Sequence, residues 1–227
     1  MSDKKEMFGG TIRFKRLMSE LMDEILTLSN RVTEMINCGI DALLEDDEAL
    51  FERLQGDLDK VHSDYDTLED SVIKSIALHQ PFARDLRFLI SSLKIGNEIH
   101  RCAHNAVHIA HTSKFFDKSM IRYDTIIKKI DKLSKSALDM FKKSVEAFIR
   151  KKTLDVNRWE ELDDVIDDLH KEVIDEIVET MLQNTNGVRA GVSLVLTSRY
   201  IERIADHACN IAEEAIYVVT SKRVKID

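Results

Sequence analysis

Two stretches 102 residues apart repeat one another, and this repetition restricts the fold more than any other feature of the chain. Ile99–His111 reads IHRCAHNAVHIAH and Ile201–Glu213 reads IERIADHACNIAE, with six of thirteen positions identical. At an offset of 101, Val61–Ile73 matches Leu162–Ile174 at Asp66/Asp167, Leu68/Leu169, Val72/Val173 and Ile73/Ile174. Met35 and Ala42 pair more weakly with Met140 and Ala147. A pattern shared at fixed offset implies one supersecondary unit used twice.

The spacing of apolar residues says what that unit is. Leu194, Ile201, Ile204, Ala208, Ile211, Ala215 and Val218 recur on a helical period and must face a core. One proline and seven glycines in 227 residues leave few turns, which argues against sheet. Breakers fall at Gly9–Gly10, Glu45–Glu48, around Pro81, at Ser113–Met120 and at Asn184–Gly187. Between them the sequence predicts six long helices, near 11–44, 48–78, 82–113, 121–151, 155–183 and 188–221. Short connections favour antiparallel neighbours. The expected fold is therefore all-α: two repeated antiparallel three-helix bundles, residues 11–113 and 121–223, behind an N-terminal tail of residues 1–10.

Charge and cysteine usage remove several classes of function. A net charge of −8 argues against a nucleic-acid groove, which needs excess Lys and Arg on one face. Cys38, Cys102 and Cys209 are odd in number and show no CxxC spacing, so neither a disulfide framework nor a thiolate zinc site is indicated. With no apolar run of signal-peptide or membrane-spanning length, a cytoplasmic location is expected. The chain has no Walker loop, GxGxxG, HExxH or GxSxG, and lacks the Glu-x-x-His of ferritin-like di-iron sites; it is not read as an enzyme.

Metal-competent residues carry the remaining signal. Glu202, Asp206 and Glu213 fall roughly opposite the apolar stripe of the last helix, on a polar ridge outside the core. Their matched positions in the first half are His100, His104 and His111, so each pair keeps a donor side chain while changing its identity. Residues at i and i+4 on a helix are close enough to share one ion, and the neighbouring segments offer the same spacing at Asp163/Asp167 and His62/Asp66. Four donors per half are thus expected to meet: Asp163, Asp167, Glu202 and Asp206 in one, His62, Asp66, His100 and His104 in the other. Against this stands the ordinary fate of carboxylates four apart on an outer face, which is to be solvated. Pro81 and Asp85 have a similarly plain reading: proline is tolerated in a first turn, and Asp85 meets the positive end of the helix dipole.

Gln80–Ile95 (QPFARDLRFLISSLKI) and Tyr200–Glu213 (YIERIADHACNIAE) resemble the PhoU family, whose hallmarks are QPxARDLR and LERIGDHxxNIAE. The resemblance implies two related three-helix bundles. It also implies a negative regulator linking the phosphate-specific ABC transporter to a sensor histidine kinase. Those two assemblies are the expected partners and the protein's only route to the membrane, with a homodimer left open. Some family members carry multinuclear metal clusters on repeated (Glu/Asp)xxxAsp motifs, which implies iron at Asp163, Asp167, Glu202 and Asp206. In the first half LERIGD is replaced by IHRCAH, and His62 stands where Asp163 stands in the second. Imidazoles shift the expectation there to zinc, nickel, copper or ferrous iron. The rival reading is a metal-storage or metal-sensing helical protein.

Overall fold

A computed structural model describes residues 11–45, 48–113 and 123–226. The tail 1–10, part of the acidic run at 46–47, and the start expected for the fourth helix at 121–122 lie outside the described residues, as does most of the breaker around 114–120. Six helices follow in order: α1 Ile12–Glu45, α2 Glu48–His79, α3 Ala83–Ser113, α4 Asp124–Arg150, α5 Val156–Gln183 and α6 Val188–Thr220. There is no strand among the described residues, and no helix of theirs is long and apolar enough to cross a membrane.

The helices stop where local chemistry stops them. α4 ends on Lys151, whose φ of 51° is left-handed and whose N–H reaches the carbonyls of Ala147 and Phe148. The side chain of Asp155 then accepts from the Arg158 N–H to open α5. Asn184 leads into a single 3₁₀ turn, Thr185–Gly187, before α6, which closes on left-handed Ser221. Of the QPFARDLR segment, residues 80–82 form the bend between α2 and α3 and residues 83–87 open α3; Asp85 lies in its first turn as its helix-start reading expects, whereas Pro81 precedes the helix.

Each repeat packs its three helices mutually: α1 with α2 and α3, α4 with α5 and α6. The repeats do not stand apart. The matched helices α3 and α6 pack on each other as extensively as α1 packs on α3, and a single apolar core runs through both halves. Cross-contacts show α3 and α6 to be antiparallel: Ser91 and Lys94 meet Glu214, Glu98 meets His207 and Asn210, His108 stacks on Tyr200, and Thr112 meets Thr197. Exchanging the halves at the 102-residue offset turns Glu98 into Tyr200 and Asn210 into His108, so one observed contact becomes another. That is the signature of a pseudo-two-fold axis through the seam.

Close approach within a repeat depends on missing side chains. A Cβ on Gly39 of α1 would stand 2.6 Å from the carbonyl oxygen of Ala106 on α3, a backbone atom that cannot step aside. Gly56 on α2 is exposed and has nothing within 4 Å of its would-be Cβ. Replacing a helical glycine with alanine ordinarily stabilises by about 1 kcal/mol. Gly56→Ala should therefore raise stability by about that amount. Gly39→Ala should instead lower it by about 1–3 kcal/mol through overpacking. Urea unfolding of the two variants beside the parent protein measures both signs.

Candidate metal centres

α2 packs beside α3, and α5 beside α6, so each repeat brings its expected donors to the groove between two helices. In the first repeat the groove is narrow because of Gly96, whose Cβ would lie 2.5 Å from Leu68 and 3.2 Å from the Tyr65 ring. Tyr65 can then stack on His100, with ring centroids 5.4 Å apart and planes 14° from parallel.

His62, His100 and His104 place one ligand nitrogen each within 4.8 Å of one another. The Nε2 atoms of His62 and His104 are 3.5 Å apart. Two nitrogens bound tetrahedrally to one ion at about 2.0 Å would be about 3.3 Å apart, so the pair is already close to a shared ion. His100 Nε2 is buried and has no hydrogen-bond partner. Burial, then the neighbouring His104 and His62, lowers the His100 pKa to about 4. The imidazole is therefore neutral at pH 7 and able to ligate. Asp66 sits near enough to oppose that shift but is exposed and outside the three-nitrogen group.

The second repeat brings Asp163, Asp167, Glu202 and Asp206 into one electrostatic neighbourhood. The polar ridge expected to lie outside the core is covered in part: Glu202 is only 7% exposed, because α5 packs over it, while Asp206 remains exposed. Burial first, and Asp206 next, push the Glu202 carboxyl up to about 7. One of its oxygens pairs with Arg199; the other, Oε2, is buried without a partner. Asp163 and Asp206 are likewise raised, mainly by burial. These carboxylates do not close into a group as tight as the histidines, since like charges repel until a cation or protons intervene.

Sequence reasoning missed two neighbours of this cluster. His170 lies one turn beyond Asp167, feels Asp167 and Asp206, and keeps a buried Nδ1 without a partner. Its spacing from Asp167 was the available signal. The Cys209 thiol points at Asp163 Oδ1 from 3.4 Å, and no motif marks it. The third matched pair stays out of both clusters. His111 packs on Phe51, and Glu213 accepts from the Ile226 N–H and pairs with Lys225. Donors on facing helices, with His100 Nε2, Glu202 Oε2 and His170 Nδ1 buried and unpartnered among them, could hold a metal ion in either groove: imidazoles in the first, carboxylates with His170 in the second.

Three helices used twice around a common seam, with a donor cluster in each copy, define a duplicated all-helical protein. Its sequence matches the PhoU domain over residues 25–112 and again over 130–215. The chain belongs to the PhoU family. It is similar to the phosphate-specific transport system accessory protein PhoU homolog 1 of Thermotoga maritima, with 26% identity over 94% of this chain and 92% of that one. The corresponding homolog of Clostridium acetobutylicum is 27% identical, over 94% and 97%. The fold is that of the phosphate transport system regulatory protein PhoU from Streptococcus pneumoniae, at a TM-score of 0.84 and 21% identity, covering 93% of this chain and 99% of that chain. PhoU from Pseudomonas aeruginosa aligns with a TM-score of 0.74 at 23% identity, covering 92% and 100%.

The two clusters should impose opposite pH dependence on the metal-free protein. Glu202 binds its proton more tightly folded than unfolded, so its contribution to stability falls as pH rises from 4.5 to about 7. His100 binds its proton less tightly folded, so its contribution is lost as pH falls from 6.5 to about 4. Glu202→Gln should flatten the loss at rising pH and raise the unfolding midpoint at pH 8. His100→Gln should remove the loss on acidification. Thermal unfolding of both variants across pH 4–8, with chelator present, checks the two slopes separately.

Proposed function

We propose that the protein is a PhoU-type negative regulator of phosphate uptake and phosphate-starvation signalling, working by docking rather than by chemistry on a substrate. The observation that carries this reading is the double match to the PhoU domain, supported by relatives of nearly the same length that are named as accessory proteins of phosphate-specific transport. The docking units are the two repeats, residues 11–113 and 121–223. Their partners are the cytoplasmic assembly of the transporter and the sensor kinase.

An acidic surface suits such docking. Glu20, Asp23, Glu24 and Asp64, with Thr27 and Thr67, line a hollow of about 320 Å³ between α1 and α2, in a chain of net charge −8. Basic partner surfaces are drawn to such a field, and the attraction is screened by salt. The metal clusters would hold α2 to α3 and α5 to α6. In that role iron suits the carboxylates Asp163, Asp167, Glu202 and Asp206, whereas zinc, nickel or ferrous iron suits His62, Asp66, His100 and His104.

A second reading, metal storage or sensing, is favoured by the convergence of His62, His100 and His104 alone. Metal analysis of the purified protein, repeated after growth with and without excess phosphate, separates the two. Storage requires a load that follows metal supply and ignores phosphate.

Deleting the gene should leave phosphate-starvation genes active in phosphate-rich medium, read by a starvation reporter, and complementation should restore repression. Repression that persists without the gene would remove the regulatory reading. Association with the transporter assembly in a pull-down should weaken as salt is raised from 50 to about 500 mM, the range over which the screening length falls severalfold.

A further inference from the structure

Two apolar strips lie on the outside of the fold, one in each repeat. Among the described residues, the large apolar side chains that solvent reaches gather mainly where the second helix of a repeat gives way to the third. In the first repeat they are Leu78 near the end of α2, Phe82 in the bend, and Leu86 and Ile90 on α3. In the second they are Leu182 near the end of α5, with Val188, Val192 and Leu196 on α6. Single exposed apolar residues are ordinary on a protein surface. Rows of them at a spacing of four are not, because they fuse into one apolar strip along a helix face.

The two strips are copies of one another. At the 102-residue offset Leu86 matches Val188, Arg87 matches Arg189 and Ile90 matches Val192. Core packing gives no reason for that agreement, since Leu86, Ile90, Val188 and Val192 are each at least 36% exposed. The donors farther along the same helices have changed identity between the repeats, from His100 and His104 to Glu202 and Asp206. Charge along the strips agrees as well. From Ala83 to Asn97, α3 carries Arg84, Arg87 and Lys94 against one acid, half-buried Asp85. From Val188 to Ile201, α6 carries Arg189 and Arg199 and no acid. On both helices the strip is therefore apolar with a basic margin, in a chain whose net charge is −8.

The seam fixes where the strips stand. α3 and α6 are antiparallel, so the strips occupy opposite ends of the seam and are exchanged by the pseudo-two-fold axis. Ser91 meets Glu214, which lies 22 residues along α6 from Val192, so Ile90 and Val192 stand about 33 Å apart along the seam.

We propose that the strips are two equivalent docking points for one two-fold symmetric protein, which seats the same apolar, acid-fringed surface on each. This deepens the docking reading and rests on it. Apolar contact supplies the anchor at each strip, and the basic margin selects a partner with an acidic fringe. Contact at one strip raises the effective concentration of the partner's second surface at the other, so two modest contacts at the right spacing make one firm complex. An anionic membrane needs no such spacing, and it would repel exposed Glu179, one turn before Leu182.

The probe is the purified cytoplasmic assembly of the transporter, titrated with the parent protein, Ile90→Glu, Val192→Glu and the double variant. Both positions are solvent-facing, and circular dichroism confirms that the helices are intact. The parent should bind as one chain for every two copies of the contacted subunit, read by sedimentation velocity. Each single variant should lower affinity about hundredfold, and the double variant should not bind. Leu26→Glu, at an exposed apolar position of α1 outside both strips, should bind as the parent does. Single variants that bind as tightly as the parent, or one chain bound per copy of the subunit, overturn the bridging while leaving the docking reading in place. A parent that does not bind the assembly overturns the docking reading itself. If the same variants instead abolish self-association, or binding to phosphatidylglycerol vesicles, and leave the assembly bound, the strips belong to a second copy or to lipid and the proposal falls.

Discussion

Half-buried Glu98 and buried Glu214 are charges in the seam between α3 and α6, and the arrangement of both repeats depends on how they are met. A buried carboxylate left alone would cost several kcal/mol. Glu98 of α3 is answered from α6, by His207 at 2.7 Å and Asn210 at 3.0 Å; burial alone would raise its pKa, but these contacts hold it below its ordinary value. Glu214 of α6 is answered from α3, by Ser91 at 2.6 Å and Lys94 at 2.9 Å, together with Arg223. Slipping the seam by one turn would strand both charges at once. The apolar core supplies most of the driving force for collapse, but it is tolerant of register; the paired carboxylates are not.

Register fixed at the seam is handed outward. α3 also packs against α1 and α2, and α6 against α4 and α5, so the depth at which His100 or Glu202 sits follows from where the seam locks. His207, which grips Glu98, is the residue after Asp206, and Glu98 lies two residues before His100. Each donor cluster is therefore a near neighbour of the contact that sets the other half's position.

The helices were legible because their information is local. An apolar stripe of helical period and a handful of breakers place α5 and α6 to within about one residue of 155–183 and 188–221, and α4 to within about three. The seam was not legible. Glu98 and His207 are 109 residues apart, and nothing in a single sequence says which faces of two helices will meet. The same limit explains Glu202. Its polarity and angle on the helix pointed to solvent, whereas its exposure is decided by a different helix, α5, lying across it. Spacing and the repeat together pointed to His62, His100 and His104 because they lie on two helices adjacent in sequence; Asp66, expected beside them, lies outside the three-nitrogen group. Tyr65 and Gly96, which shape its walls, carry no chemical signal and became visible only in the packing.

The half-turn that relates the repeats has a consequence for recognition. A body with true two-fold symmetry presents a partner with two identical ways to land. Here the backbone nearly keeps that degeneracy, while the side chains remove it: rotate the molecule and imidazoles at 62, 100 and 104 fall where carboxylates at 163, 202 and 206 had been. To any partner that senses charge, the two landings differ in energy although they are alike in shape. The duplicated frame thus acquires a polarity, a front and a back, from a few substitutions in one copy.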